Sequence, residues 1–342
     1  MGNKKILETN DRVTIYALEL ERIFKTHKDP YRSHEMSRKV LQEMSEDPAF
    51  LPHLIRKHLA NPENYNRPHF PLPGMTLAET PYFTCYAHFW FGNMPQREQG
   101  RSVTCVHHHG ALLLTTIALY GPGCEVWLFS RPRETAEGGI FNMEHIVQHQ
   151  NSVRSFTFVD TGQPHLIFPP ESLSITVALW SRHTRAPFLN ALKTHPLIRE
   201  NKQTFLKISH LFRLSDTLQI NEVINFDFVP LELGFQAVPQ RLQYPYASNE
   251  DYLVNLFHIV EETENQDQVS VILELLEKKE DAFKSRSLIQ SLARRLEKGD
   301  KIPARVSECH RFVQGLNVTK AEVRRALGVE IAEARSETEV PK

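Results

Sequence analysis

The chain has 342 residues, 41% of them hydrophobic and 24% charged, with 40 basic residues against 41 acidic ones. Such a length and hydrophobic content can bury a sizeable core and exclude a mainly disordered polymer. A formal net charge of −1 supplies no global field for nucleic acid or for an anionic membrane, which leaves small-molecule chemistry as the expectation.

The opening residues lack the roughly 7–15-residue apolar run of a secretory signal, and no apolar stretch reaches the ~18 residues of a membrane span. The expected setting is soluble and cytoplasmic. Cys85, Cys105, Cys124 and Cys309 are scattered without a C-x-x-C pair, which suits reduced thiols.

Residues 11–60 carry apolar stripes at helical spacing in three segments: Ile15, Leu18, Leu20, Ile23 and Phe24; then Met36, Val40, Leu41 and Met44, closed by Asp47-Pro48; then Phe50, Leu54, Ile55 and Leu59. Pro62, Pro68, Pro71 and Pro73 follow and forbid continued helix, so a boundary is expected over residues 61–74. From Tyr82 to about Trp180 the period changes to two. In residues 82–90 one face carries Tyr82, Thr84, Tyr86, His88 and Trp90, and the other Phe83, Cys85, Ala87 and Phe89. Further short runs over 102–109, 112–120, 124–129, 155–160, 165–168 and 173–180 alternate with glycine and proline turns, the pattern of a small barrel or sandwich.

Beyond Trp180 the pattern returns mainly to helix. Phe205, Ile208, Leu211 and Phe212 form one stripe and Leu288, Leu292 and Leu296 another, while residues 221–247 read as an extended, proline-interrupted stretch lying along the barrel or at an interface. Gly299 and Pro303 are stop signals, and Thr319 with Glu322 forms a capping box. Three units are therefore expected: an N-terminal helical segment (1–75) packed on the barrel, a β-barrel (76–190), and a mainly helical C-terminal region (191–342). The fold class is a mainly β core with α-helical additions at both ends.

The chemistry concentrates in Val106-His107-His108-His109. On a strand His107 and His109 share one face while His108 points away. His165 follows the turn Asp160-Thr161-Gly162-Gln163-Pro164, where the next strand can return its imidazole to the same mouth. Buried imidazoles without partners cost roughly 1–3 kcal/mol per polar group, and a metal ion accepting all three lone pairs removes that cost. His145 and His149, with Glu144 beside them, lack the internal glutamate of a metalloprotease helix and read as a solvated loop or helix face. Arg182, His183 and Arg185 read as a solvated basic turn.

Two blocks, Ser102-Val103-Thr104-Cys105-Val106-His107-His108-His109-Gly110 and Val159-Asp160-Thr161-Gly162-Gln163-Pro164-His165 with the strand that follows it to Ser181, resemble the thiol dioxygenases of the cysteine dioxygenase type, within the cupin superfamily. The resemblance covers about residues 35–185 and leaves 190–342 outside it. It implies a cupin-like small β-barrel and a mononuclear non-haem iron(II) site of three histidines, His107, His109 and His165. Departures narrow the implication. Where ordinary cupins add a glutamate ligand this chain has Leu113 and Leu114; where the family holds a substrate carboxylate with arginine it has Pro81 and Tyr82; and the pocket tyrosine gives way to Trp180.

These readings combine into an expectation of an iron(II) oxygenase acting with O2 on a small molecule other than free cysteine. Tyr86 and His88 are the candidates for pocket hydrogen bonding or proton transfer. The alternatives are a zinc-dependent hydrolase or isomerase at the same histidines, and a non-enzymatic sensor or scaffold. No nucleic-acid or membrane partner is expected.

Overall fold

The three helical segments form as the sequence reads, with Ile15, Leu18 and Met36 of their apolar stripes left exposed and the rest buried. Asp11 accepts from the Val13 amide at 3.1 Å to start α1 (Arg12–Thr26), and Asp29 accepts from the Tyr31 amide at 3.1 Å to start α2 (Pro30–Glu46). Pro30 occupies the first turn of α2, where no amide hydrogen is missed. α3 (Phe50–Leu59) follows the Asp47-Pro48 break. The computed structural model of the chain describes residues 11–65, 74–150, 155–183, 226–239, 248–278, 285–305 and 317–329.

Thirteen described strands form two antiparallel sheets. One has the order β1 (Gly74–Glu79), β2 (Phe83–Trp90), β11 (Ser174–Arg182), β4 (Leu112–Tyr120), β9 (Phe156–Val159). The other runs β6 (Arg133–Glu134), β7 (Ile140–Asn142), β13 (Gly234–Pro239), β12 (Phe226–Leu231), β3 (Val106–His107), β10 (His165–Phe168), β5 (Glu125–Phe129), β8 (His145–Gln150). α4 (Pro95–Glu98) precedes β3, and α5 (Asn249–Glu262), α6 (Val269–Lys278), α7 (Arg286–Glu297) and α8 (Lys320–Ala326) complete the described helices. The protein is thus mainly β at its centre, with helices at both ends. Among the described residues no helix is long and apolar enough to cross a membrane.

Alternation decides what each sheet face meets. On β2, Phe83, Cys85, Ala87 and Phe89 are buried in one cluster with Leu20, Phe24, Leu41 and Leu54 of the N-terminal helices and with Leu253, Phe257 and Ile259 of α5. Each such side chain contributes about 1.5–3 kcal/mol by leaving water. The opposite face of β2, carrying Thr84, Tyr86 and His88, turns inward between the sheets. A second cluster, with Val106, Trp127, Leu166, Phe228 and Val323, packs the outer face of the second sheet against α8. The capping box of α8 forms: Glu322 donates its amide to the Thr319 hydroxyl, and the Thr319 amide donates to the Glu322 carboxylate.

Two buried histidines tie helices to strands. The His34 ring on α2 hydrogen-bonds with Thr115 Oγ1 on β4 at 2.8 Å and Ser181 Oγ on β11 at 2.9 Å. His58 Nε2 on α3 donates to the Thr76 carbonyl on β1 at 3.0 Å, which leaves Nδ1 to accept from the Tyr252 hydroxyl on α5 at 3.0 Å. The N-terminal helices are therefore held by polar contacts as well as by the apolar cluster.

Three expectations change. His145 and His149 lie on strand β8 rather than on a helix, and the only group of metal-ligating side chains among the described residues is elsewhere. Within residues 221–247, read as merely extended, β12 and β13 form a hairpin whose β12 pairs with β3. The run 102–109 is strand only at Val106–His107, because Ser102 donates its amide to the Val318 carbonyl at 2.8 Å and Val103 to Ile167 at 2.8 Å before the chain bends. The stripe Phe205–Phe212 lies outside the described residues.

Burial drives the His34 pKa down to about 3, with Arg38 adding to it. The unfolded chain takes up this proton below pH 6.5 and the folded chain does not. The tie therefore contributes its full share of stability above pH 6.5, and the share falls by about 1.4 kcal/mol per pH unit as pH drops toward 3. Urea unfolding of metal-free protein between pH 7 and pH 4 should show His34→Gln losing stability less steeply than wild type; equal slopes would contradict the tie. Limited proteolysis within residues 61–74 should leave the helical segment bound to the rest, and a freely released segment would contradict the shared core.

Candidate metal centre

The centre begins with a register. β3 pairs with β10 so that His107 stands directly opposite His165. Opposed residues of an antiparallel pair point to the same face, so both imidazoles enter the space between the sheets. His109 arrives differently. It follows the end of β3, and the chain turns at once through Gly110, whose φ of 57° is the left-handed conformation that glycine adopts without a Cβ penalty. The Gly110 carbonyl accepts from the Gly162 amide at 2.8 Å, which fastens the turn after His109 to the turn before His165. The Asp160 turn is itself held: its carboxylate accepts from the Thr161 amide at 2.7 Å and from the Tyr31 hydroxyl at 2.7 Å.

One nitrogen from each of the three histidines lies within 4.8 Å of the other two. His107 Nδ1 contacts the Cys105 carbonyl at 3.1 Å and Thr104 Oγ1 at 2.9 Å; the carbonyl only accepts, so Nδ1 carries the hydrogen and Nε2 is bare. His165 Nδ1 faces the Gln163 carbonyl at 3.4 Å, a long contact of the same sense. His109 Nε2 and His165 Nε2 stand 2.9 Å apart. Two lone pairs meet at that distance only across a shared cation or proton. The donor set fits a transition metal of imidazole preference.

The electrostatics agree with this. Burial pulls the His107 pKa down to about 4, and His109 and His165 fall well below their ordinary value through burial and mutual repulsion. All three are neutral at physiological pH, the state in which imidazole ligates. His108 points away, as its alternation requires. It packs near Phe226 and Phe228, with ring centroids 6.4 and 6.0 Å away, and its Nδ1 accepts from the Gly110 amide at 3.0 Å.

The wall facing the ligands is aromatic. Trp180 on β11 presents itself edge-to-face to His109 at a centroid distance of 4.5 Å. Through the β11–β2 register Trp180 opposes Thr84, Ala178 opposes Tyr86 and Thr176 opposes His88, so these share the inner face. His88 is close enough to lower the His109 pKa; its own pKa falls to about 4 on burial, and its Nδ1 is shielded from solvent without a hydrogen-bond partner. The Tyr86 hydroxyl donates to Glu79 at 2.7 Å, and the Trp90 indole donates to Thr176 Oγ1 at 2.7 Å. Arg182 lies two residues beyond Trp180 on the same face and is half-buried, with its pKa lowered by burial, so it is more than the solvated turn the sequence suggests.

One group was invisible in the sequence. Asp227 on β12 is buried and stands opposite His107 in the β12–β3 pairing. Burial pushes its pKa up to about 6. Only the long-range pairing of the hairpin brings it here, and no local motif marks it.

Neither the protein-family models nor the curated proteins give a match to this sequence. Among solved structures, the chain is similar to CapF with the inhibitor 3-isopropenyl-tropolone (11% identity, 33% of this chain and 28% of that one, TM-score 0.22). It is similar to an uncharacterized conserved protein with a double-stranded beta-helix domain from Klebsiella pneumoniae subsp. pneumoniae MGH 78578 (13% identity, 37% and 90%, TM-score 0.21). A third likeness is Fe(II)-HppE with its alternative substrate (S)-1-HPP (13% identity, 31% and 47%, TM-score 0.20). The chain spans under half of the length of CapF and of HppE, and likenesses of this size carry none of those proteins' chemistry to it.

Proposed function

We propose that the protein is a mononuclear metal-dependent oxygenase of the cupin and thiol-dioxygenase type, with His107, His109 and His165 holding iron(II). The observation that carries this reading is the convergence of three neutral imidazoles with no carboxylate among them. Among the described residues no fourth protein ligand joins the three imidazoles, so a bound ion would keep open positions, unlike a closed four-ligand zinc site. A ferrous ion held there supplies one-electron chemistry toward dioxygen and a seat for an anionic substrate group.

The chain's own residues supply the remainder. Hydrogen bonds from Nδ1 to the Cys105 and Gln163 carbonyls fix which nitrogen each ligand presents. Trp180 closes one side of the site against water and orients the His109 ring. His88, neutral and with its buried Nδ1 unpartnered, is placed to accept a hydrogen bond from a bound molecule, and Tyr86 stands beside it at a ring-centroid distance of 6.0 Å. The substrate is a small molecule other than free cysteine. Next to the ligands the wall offers indole, imidazole and phenol, with Arg182 farther along the same face, and Pro81 and Tyr82 stand where the resembling family holds a substrate carboxylate with arginine.

Protein purified without chelators or an affinity metal should contain about one iron per chain. His107→Ala or His165→Ala should lose most of it, while His108→Ala keeps it. Equal loss in all three, measured by elemental analysis, would contradict the assignment. With iron loaded, an oxygen electrode should record uptake with a bulkier or less charged thiol or aromatic compound at a rate at least tenfold that with cysteine. Efficient cysteine turnover would overturn the substrate argument, and activity with zinc and no O2 uptake would overturn the oxygenase reading.

A further inference from the structure

The side chains next to two of the ligands face away from the metal centre. Val106 precedes His107 and Leu166 follows His165, and alternation sends both to the outer face of the second sheet, where they are fully buried. What covers that face comes from much later in the chain. Val318, Val323 and Ala326 share one apolar cluster with Val106, Leu166, Trp127 and Phe168. Two cations of α8 reach the same strands: Lys320 pairs with Glu125 on β5 and lies 4.8 Å over the Phe168 ring on β10, and the Arg324 guanidinium lies 5.6 Å over the Trp127 ring on β5.

The residues just before α8 are tied to those just before β3. Thr319 and Arg101 form an antiparallel bridge, Arg101 Nη1 donates to the Asn317 carbonyl at 3.3 Å, and the Ser102 amide donates to the Val318 carbonyl at 2.8 Å. From there a run of contacts leads to a ligand. The Ser102 hydroxyl donates to the Thr104 carbonyl, Thr104 Oγ1 stands 2.9 Å from His107 Nδ1, and the Cys105 carbonyl accepts from that nitrogen at 3.1 Å. Residues 317–319 thus hold the loop that gives His107 its Nδ1 partners.

We propose that residues 317–326 are a positioning clasp for the metal centre, with clasp docking and metal occupancy each favouring the other. The inference rests on the metal-centre reading above and deepens it. β3 has two residues, so little ladder holds its register, and the clasp braces it from its outer face and through the loop that enters it. An ion drawing His107 and His165 together fixes the same strands from the inside. Two events that favour one arrangement of the strands favour each other, and by the same factor. The clasp residues act through His107 and through the side chains behind the ligands.

The test reads the coupling from both sides. Cobalt(II) affinity is measured anaerobically by competition with a chromophoric chelator, and amide hydrogen exchange is followed with and without cobalt. Lys320→Ala combined with Val323→Ala should bind cobalt about 5- to 30-fold more weakly. Lys301→Ala, which breaks an ion pair with Glu261 on α5 at 3.0 Å, should bind it as wild type does. In wild type, cobalt should slow exchange at the Val323 and Leu327 amides, which bond to Thr319 and Val323 carbonyls at 3.1 and 3.0 Å, and leave the Ile289 amide of α7 unchanged. If the double variant fails to fold, the exchange comparison in wild type decides alone. Wild-type affinity in the folded double variant, equal loss in Lys301→Ala, α8 exchange indifferent to bound cobalt, or equal slowing in α8 and α7 overturns this inference alone. A wild-type protein that binds no cobalt overturns the metal-centre reading and this inference with it.

Discussion

The site depends on one cross-strand register, His107 opposite His165. β3 has only two residues, so little ladder exists to hold that pairing, yet a slip by one residue would turn His107 into the outer apolar cluster with Val106. The register is secured from outside the strand. Val103 donates to Ile167 on one side, and Gly162 donates to Gly110 on the other, each at 2.8 Å. β12 pairs along the remaining edge. The ligands are thus positioned by loops and neighbours more than by the strand that carries them.

This arrangement explains why the polar cluster survives in an apolar surrounding. Each imidazole has its Nδ1 or ring face engaged, by Cys105 and Thr104, by Gln163, or by Trp180, and the groups left over converge on one point. Without a cation there, buried nitrogens 2.9 Å apart share one proton at best. A bound ion removes that cost, so metal binding and local folding are coupled. The same reasoning places the helices: His34 and His58 complete polar pairs across the helix–sheet boundary that would otherwise be orphaned.

Much of the centre was legible in the sequence because alternation is local. His107 and His108 facing opposite ways, the inward face of Thr84, Tyr86 and His88, and the three N-terminal helices follow from periods of two and 3.6, and the Thr319 capping box from its own spacing. What was not legible depends on pairing between distant segments. Residues 102–105 leave the strand to pair with Val318 and β10, and His109 enters through a glycine turn instead of a continued strand. Asp227 comes to His107 only because β12 joins β3 across more than a hundred positions of chain, a contact that no motif near either residue encodes. His145 and His149 show the converse: their helical spacing is incidental, and β8 places them at an exposed sheet edge.

The most direct test of the account is X-ray absorption at the metal edge of the protein as isolated. The edge identifies the element, and the outer-shell scattering counts imidazoles. The account predicts iron with three imidazole ligands and further light-atom ligands in a six-coordinate shell. A four-coordinate zinc spectrum, or an ion with fewer than two imidazoles, would contradict it.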